Sequence, residues 1–259
     1  MAASPVFELF EVICMELAAQ PVQVIPEDRL DNDLLESVME QFDETSMAEA
    51  FRRAMAQIDT HFQQRGAGLP YRLDMPTRQF HATDPDFLEF VAFCRNRRGV
   101  GGPDSKDFEI RSLRRLRKRV TGDLYRVGVP RDRLRRKRQI VAFLKDLGFE
   151  ANALDRYDQD GGLDILWLPP LGSVPMRPII SLQCKNSFFD ESEANSSSGR
   201  AERTLRRHSH IKADHLKFVI FNDYIDRDRF EGRAAGWTFL PLGLTDLASL
   251  VGPGLDDAL

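Results

Sequence analysis

Apolar positions in the first hundred residues recur at helical spacing. Phe7, Phe10, Val12, Ile13 and Leu17 form one stripe, which stops before Pro21. Ser46-Met47-Ala48-Glu49 has the form of a capping box and predicts a helix through about Gln64, ended by Gly66 and Gly68. Asp84-Pro85 supplies a cap and a first-turn proline ahead of Phe87, Leu88, Phe90, Val91 and Phe93. Gly99-Val100-Gly101-Gly102-Pro103 then breaks the pattern, which predicts a helical N-terminal domain over 1–104 and a second domain over 105–259.

Beyond that break Leu113, Leu116, Val120 and Leu124 keep helical spacing, and a second helix is predicted from Asp132 to Gly148. The pattern then turns β-like. Phe149–Leu154, Leu163–Leu168 and Ile179–Lys185 read as strands, with prolines confining the last connection to a loop. Ser187–Gly199 reads as a mobile polar loop and Ala201–His215 as a helix. Leu216–Asn222 is a largely buried strand, Trp237–Leu240 a possible fifth strand, and Thr245–Val251 a terminal helix. Helix, three strands, helix, strand predicts a mixed α/β sheet.

Composition narrows the class. The chain has 259 residues, 42% of them hydrophobic and 29% charged, as ordinary globular proteins do. No apolar run approaches a membrane helix, the N-terminus lacks a basic leader, and three scattered cysteines suit a reducing compartment. A cytoplasmic protein without a membrane partner is expected. The formal net charge of −4 argues against a polyanion partner, but its distribution does not. Residues 105–138 hold fourteen basic side chains against four acidic ones, inside an otherwise acidic chain. Such a run is commonly a solvated helix face; it is also a localised field able to hold a polyanion. Arg114, Arg115, Lys118, Arg135 and Arg136 are the candidate phosphate contacts in it, joined by Arg203, Arg206 and Arg207 on the later helix.

The chemistry centres on Gly161-Gly162-Leu163-Asp164 and Gln183-Cys184-Lys185. In a strand Gln183 and Lys185 share a face, and Cys184 packs on the other. Mg²⁺ takes oxygen ligands and retains waters. Asp164 offers a carboxylate, Gln183 an amide oxygen and Cys184 its backbone carbonyl, while Lys185 can orient a water or offset charge on a phosphate. Asp158 and Asp160 suit the turn before the strand. No spacing resembles a zinc site, and this chemistry does not require His208, His210 or His215, which read as surface or structural residues.

Gly148-Phe149-Glu150, Asp160-Gly161-Gly162-Leu163-Asp164-Ile165 and Leu182-Gln183-Cys184-Lys185 resemble the PD-(D/E)XK nuclease superfamily. Within it they are most similar to the Mrr-like restriction endonucleases, where Gln stands for the usual acid before x-Lys. The resemblance runs from about Arg131 to Val251. It implies a restriction-endonuclease-like α-β-β-β-α-β core and cleavage of double-stranded DNA with Mg²⁺, for which Mn²⁺ can substitute. It also implies a recognition or dimerisation domain, a homodimer, and a role in bacterial restriction or phage defence. Many relatives carry a glutamate on the helix before the first strand; that region here reads Arg135-Arg136-Lys137-Arg138, with Asp160 and Glu150 as candidate helpers. Two other readings stand beside this one: a structure-specific repair or junction nuclease, and a catalytically silent DNA-binding module on the same fold.

Overall fold

The computed structural model describes residues 4–24, 32–74, 77, 79–127, 142, 145, 163–170, 179–209, 216–225 and 237–249. Of the helix expected over 132–148 only Ala142 and Lys145 are described, both helical; the strand expected over 149–154, and Asp158, Asp160, Glu150 and the glycine pair lie outside these residues.

The chain opens with α1 (Pro5–Ala19), β1 (Val22–Val24), α2 (Asn32–Phe42) and α3 (Met47–Gln63). Next come β2 (Tyr71–Asp74), β3 (Gln79–Ala82), α4 (Pro85–Arg97) and α5 (Pro103–Arg119). The second half holds β4 (Asp123–Arg126), β5 (Ile165–Leu168), β6 (Ile180–Lys185), α6 (Glu191–Ser209), β7 (Leu216–Phe221), β8 (Leu240–Leu242) and α7 (Leu244–Ser249). Among the described residues no helix is long and apolar enough to cross a membrane.

The class is mixed α/β, as the alternation of patterns predicts, with four departures. The N-terminal third is not purely helical, since β1, β3 and β2 form a small antiparallel sheet in that order. The helix expected to continue through Leu124 stops at Arg119 and gives way to β4. Gly122 makes this turn at φ 101°, where an added Cβ would run into the Leu168 carbonyl. The polar stretch 187–199 is not a loop throughout, because α6 begins at Glu191. Asp190 starts that helix: its carboxylate accepts the Glu193 N–H at 2.8 Å and its carbonyl the Ala194 N–H at 3.0 Å. Ala194, Ser197, Ser198 and Ala201 are all buried at helical spacing, so the small residues form the face that lies against the sheet. The fifth strand also sits slightly later than expected, at Leu240–Leu242.

The larger sheet has the order β4-β5-β6-β7-β8. β4, β5 and β6 are mutually antiparallel; β7 runs parallel to β6, and β8 parallel to β7. The crossover from β6 to β7 contains α6. One face of the sheet carries Ile165, Ile180, Leu182 and Ile220, which join Phe87, Leu88, Phe108, Leu113 and Leu116 in a single apolar cluster. That cluster includes α1 and therefore continues across the Gly99–Pro103 link. The other face carries Val219 and Phe221, packed with Ala194, Ile225 and Phe239.

Caps and ion pairs fix the helices around this sheet. Ser46 precedes α3 but makes no side-chain cap, and Glu49 pairs instead with Arg52. Asp84 does cap α4, accepting the Phe87 N–H at 3.0 Å, and it also binds Arg115 and Arg119, each at 2.9 Å. Burial works to raise the Asp84 carboxyl, but the Arg115 hydrogen bond and charge, the Phe87 N–H and Arg119 outweigh it and hold it below the usual aspartate range. A carboxyl held low when folded binds fewer protons than the unfolded chain, so its stabilisation is complete above the ordinary aspartate range and is lost as pH falls through the folded value. The expected result is a melting temperature that drops with acidification below about pH 4, with a shallower drop in Asp84→Asn. Equal acid slopes in the two proteins would refute the assignment.

Candidate active site

Asp164 immediately precedes β5, and Lys185 ends β6. Because the strands are antiparallel, with Ile165 opposite Leu182, these two positions fall at the same end of the sheet. The same end receives the exits of β4 and β7: the Val127 N–H donates to the Asp164 carbonyl at 2.8 Å, and the Asn222 N–H to the Lys185 carbonyl at 2.9 Å.

The Asp164 side chain replaces a ladder partner. Its Oδ2 accepts the Cys184 N–H at 2.7 Å, two residues along β6 from the last pair, Ile165 with Leu182. N–H and C=O of one strand residue project to the same side, so the Cys184 carbonyl also faces the Asp164 edge.

The side chains of β6 divide as the period-two pattern predicts. Cys184 packs against the main apolar cluster. Burial raises its thiol well above the ordinary value; Asp164 and Glu109 add to this, and the Ser112 hydroxyl and Arg126 oppose it. A thiol in this state is no nucleophile near neutral pH. Gln183 lies on the opposite face, buried, with Nε2 donating to the Ser197 carbonyl of α6 at 3.1 Å. Lys185 lies on that face too, its Nζ 3.0 Å from Glu193 Oε1.

Among the carboxylates at this end, two outside the sequence motif stand close to its residues. Glu193 is one. The other is Glu109, buried on α5 and paired with Arg126 of β4. Glu109 and Ser112 fall on the buried arc of α5 with Phe108, Leu113 and Leu116. A carboxylate on the arc that carries Phe108, Leu113 and Leu116 is the signal that marks it.

The oxygens of Asp164, Gln183 and the Cys184 carbonyl are hard donors of the kind Mg²⁺ takes. Among the described residues no group of three or more His, Cys, Asp or Glu side chains stands close enough to hold a metal ion. Of the three candidate donors only Asp164 carries a charge; the Gln183 amide and the Cys184 carbonyl are neutral.

The candidate DNA contacts fare differently from one another. Arg114 is exposed on α5 and Arg203 is exposed on α6. Lys118 is exposed but paired with Asp86. Arg115 turns inward: it is buried, bound to Asp84 and stacked 5.0 Å from the centre of the Phe87 ring, so its charge is used inside the fold. Arg206 and Arg207 lie within α6, and Arg135 and Arg136 lie outside the described residues.

Comparison with known proteins adds little. No protein-family model matches the chain, and no curated protein does. Among solved structures, the crystal structure of protein VC1899 from Vibrio cholerae aligns over 95% of this chain and 50% of its own, with 9% identity and a TM-score of 0.26. The chain thus spans about half the length of that protein.

Proposed function

We propose that the chain is a Mg²⁺-dependent endonuclease that hydrolyses phosphodiester bonds of double-stranded DNA, with a PD-(D/E)XK-type site at Asp164 and Gln183-Cys184-Lys185. The observation that carries this reading is the 2.7 Å hydrogen bond from the Cys184 N–H to the Asp164 carboxylate. It sets the acid against the middle residue of Gln-x-Lys at one end of two adjoining strands. The strand order gives further support. Among the described elements of this half, α5 is followed by the antiparallel β4, β5 and β6, then by α6 and the parallel β7, with the helical residues Ala142 and Lys145 falling between β4 and β5. On this alignment the helix ahead of the first described strand is α5, and its buried acid is Glu109 rather than a residue among 135–138.

Asp164, Gln183 and the Cys184 carbonyl would hold the Mg²⁺, which when bound makes a water easier to deprotonate and offsets phosphate charge. The Cys184 N–H orients the Asp164 carboxylate, and the Ser197 carbonyl fixes the Gln183 amide. Lys185 supplies an ammonium to the attacking water or to the charge that builds on the phosphate oxygens. Arg114, Lys118 and Arg203 grip the flanking backbone, with affinity that falls as salt rises. Restriction or phage defence, in the cytoplasm and as a homodimer, is the setting we assign.

One observation favours the silent-module reading: Lys185 is already engaged by Glu193. Supercoiled plasmid, linear duplex and a four-way junction, each incubated with Mg²⁺ or EDTA, separate the readings. The expected result is cleavage of linear and plasmid DNA with Mg²⁺ and none with EDTA. Cleavage confined to the junction would indicate the structure-specific nuclease, and binding without metal-dependent cleavage of any substrate would indicate the silent module.

A further inference from the structure

We propose that Glu193 is a positioning residue for Lys185, holding its ammonium in the DNA-free protein and giving it up to the DNA phosphate. The proposal rests on the nuclease reading above. Lys185 leaves the end of β6 on the face covered by α6, and Glu193 meets it from the first turn of that helix at 3.0 Å.

The acid is held from several sides. Its own N–H is capped by Asp190 Oδ1 at 2.8 Å, and its second carboxylate oxygen accepts the Ser187 hydroxyl at 3.4 Å. Asp223, beyond the end of β7, accepts the Phe189 N–H at 2.9 Å and so ties down the segment that joins Lys185 to Glu193. Strand end, turn and helix start therefore fix the carboxylate in reach of the lysine.

The contact is firm in position yet weak in energy. The side chains are 21% exposed for Lys185 and 43% for Glu193. An ion pair this open to water holds its partners only weakly. Contrast Glu11 and Arg98, whose side chains are 1% and 11% exposed. A phosphodiester approaching Lys185 carries the same charge as Glu193 and competes for the same ammonium. Glu193 consequently raises the threshold for occupancy: a lone phosphate meets repulsion, whereas a duplex gripped along its backbone overcomes it. The residue acts on binding, and through it on selectivity for extended DNA.

A double-mutant cycle tests this, using the full chain and a fluorescent DNA duplex. Binding is measured in EDTA, and steady-state cleavage in Mg²⁺. Glu193→Gln is expected to tighten binding by about three- to fivefold and to lower KM by more than it changes kcat. Most of that gain should disappear in the Lys185→Ala background. An equal gain in both backgrounds would show only a general charge effect and overturn the proposal, as would weaker binding or a change confined to kcat. A wild-type protein that neither binds nor cuts DNA would overturn the nuclease reading and this proposal together. One that cuts DNA while the cycle is additive would overturn this proposal alone.

Discussion

Asp164→Asn is expected, on the proposed nuclease reading, to lower Mg²⁺-dependent cleavage by about three orders of magnitude and to leave the fold nearly as stable as wild type. The substitution separates two roles of one side chain. The asparagine carbonyl can still accept the Cys184 N–H that Asp164 accepts at 2.7 Å, but it has lost the charge that a divalent cation needs. Asp164→Ala is expected to lose cleavage to the same degree and, in addition, about 1–3 kcal/mol of stability, because the Cys184 N–H is left without that acceptor. Rates on plasmid DNA, with denaturant unfolding of the same preparations, check both statements. An Asp164→Asn protein that cuts at wild-type rate would remove Asp164 from the chemistry. An Asp164→Ala protein as stable as Asp164→Asn would remove it from the sheet's hydrogen bonding.

Glu11→Gln is expected to destabilise the protein by about 3–5 kcal/mol. Glu11 is fully buried in α1, and it pairs with Arg98 just beyond α4 and with Arg95 at 3.3 Å. The guanidinium of Arg98 also donates to the Asn222 carbonyl at 2.8 Å. Asn222 in turn donates to the Cys94 carbonyl and to Asn186 Oδ1, both at 2.8 Å, and Asn186 donates to the carbonyls of Arg97 and Val100. This polar chain joins the exits of β6 and β7 to the end of α4, immediately after Lys185. Removing the Glu11 charge leaves Arg98 buried with its counter-ion gone, which costs far more than an exposed pair is worth. Replacing Glu11 and Arg98 together by apolar residues should cost less than the two single losses added. Unfolding midpoints at constant denaturant slope give the comparison, and a Glu11→Gln loss under about 1 kcal/mol would contradict the account.

These two predictions mark where sequence pattern suffices and where it fails. β5, β6 and β7 are readable because each is a short apolar run bounded by turn residues, and the alternation in β6 puts Cys184 on one face and Lys185 on the other. Asp84-Pro85 is readable because the cap and the first-turn proline are local chemistry. β4 is hidden because Val120 and Leu124 extend a helical spacing, and only the geometry at Gly122 ends it. The early start of α6 is hidden because Ser and Asn are poor helix formers in isolation. Here they are buried small residues that let the helix approach the sheet. The strands of the small N-terminal sheet are only three or four residues long, too short to show a period.

The site divides in the same way. Asp164 and Lys185 are legible from a motif in two β contexts. Glu193, Glu109 and the Glu11–Arg98 pair are not, because each acquires its partner only through the fold. The inward turn of Arg115 has the same origin. In sequence it is one arginine of a basic run, and Asp84, which takes it out of that run, lies in the preceding helix's cap.

The central claim is hydrolysis of DNA at the end of β5 and β6. Its most direct measurement is plasmid cleavage by wild type, Asp164→Asn and Lys185→Ala side by side, on methylated and unmethylated DNA, in Mg²⁺ and in EDTA. The account predicts nicked or linear product from the wild type in Mg²⁺ alone, and little or none from either variant. Product of equal yield from both variants, or no product from the wild type on either DNA, would contradict it.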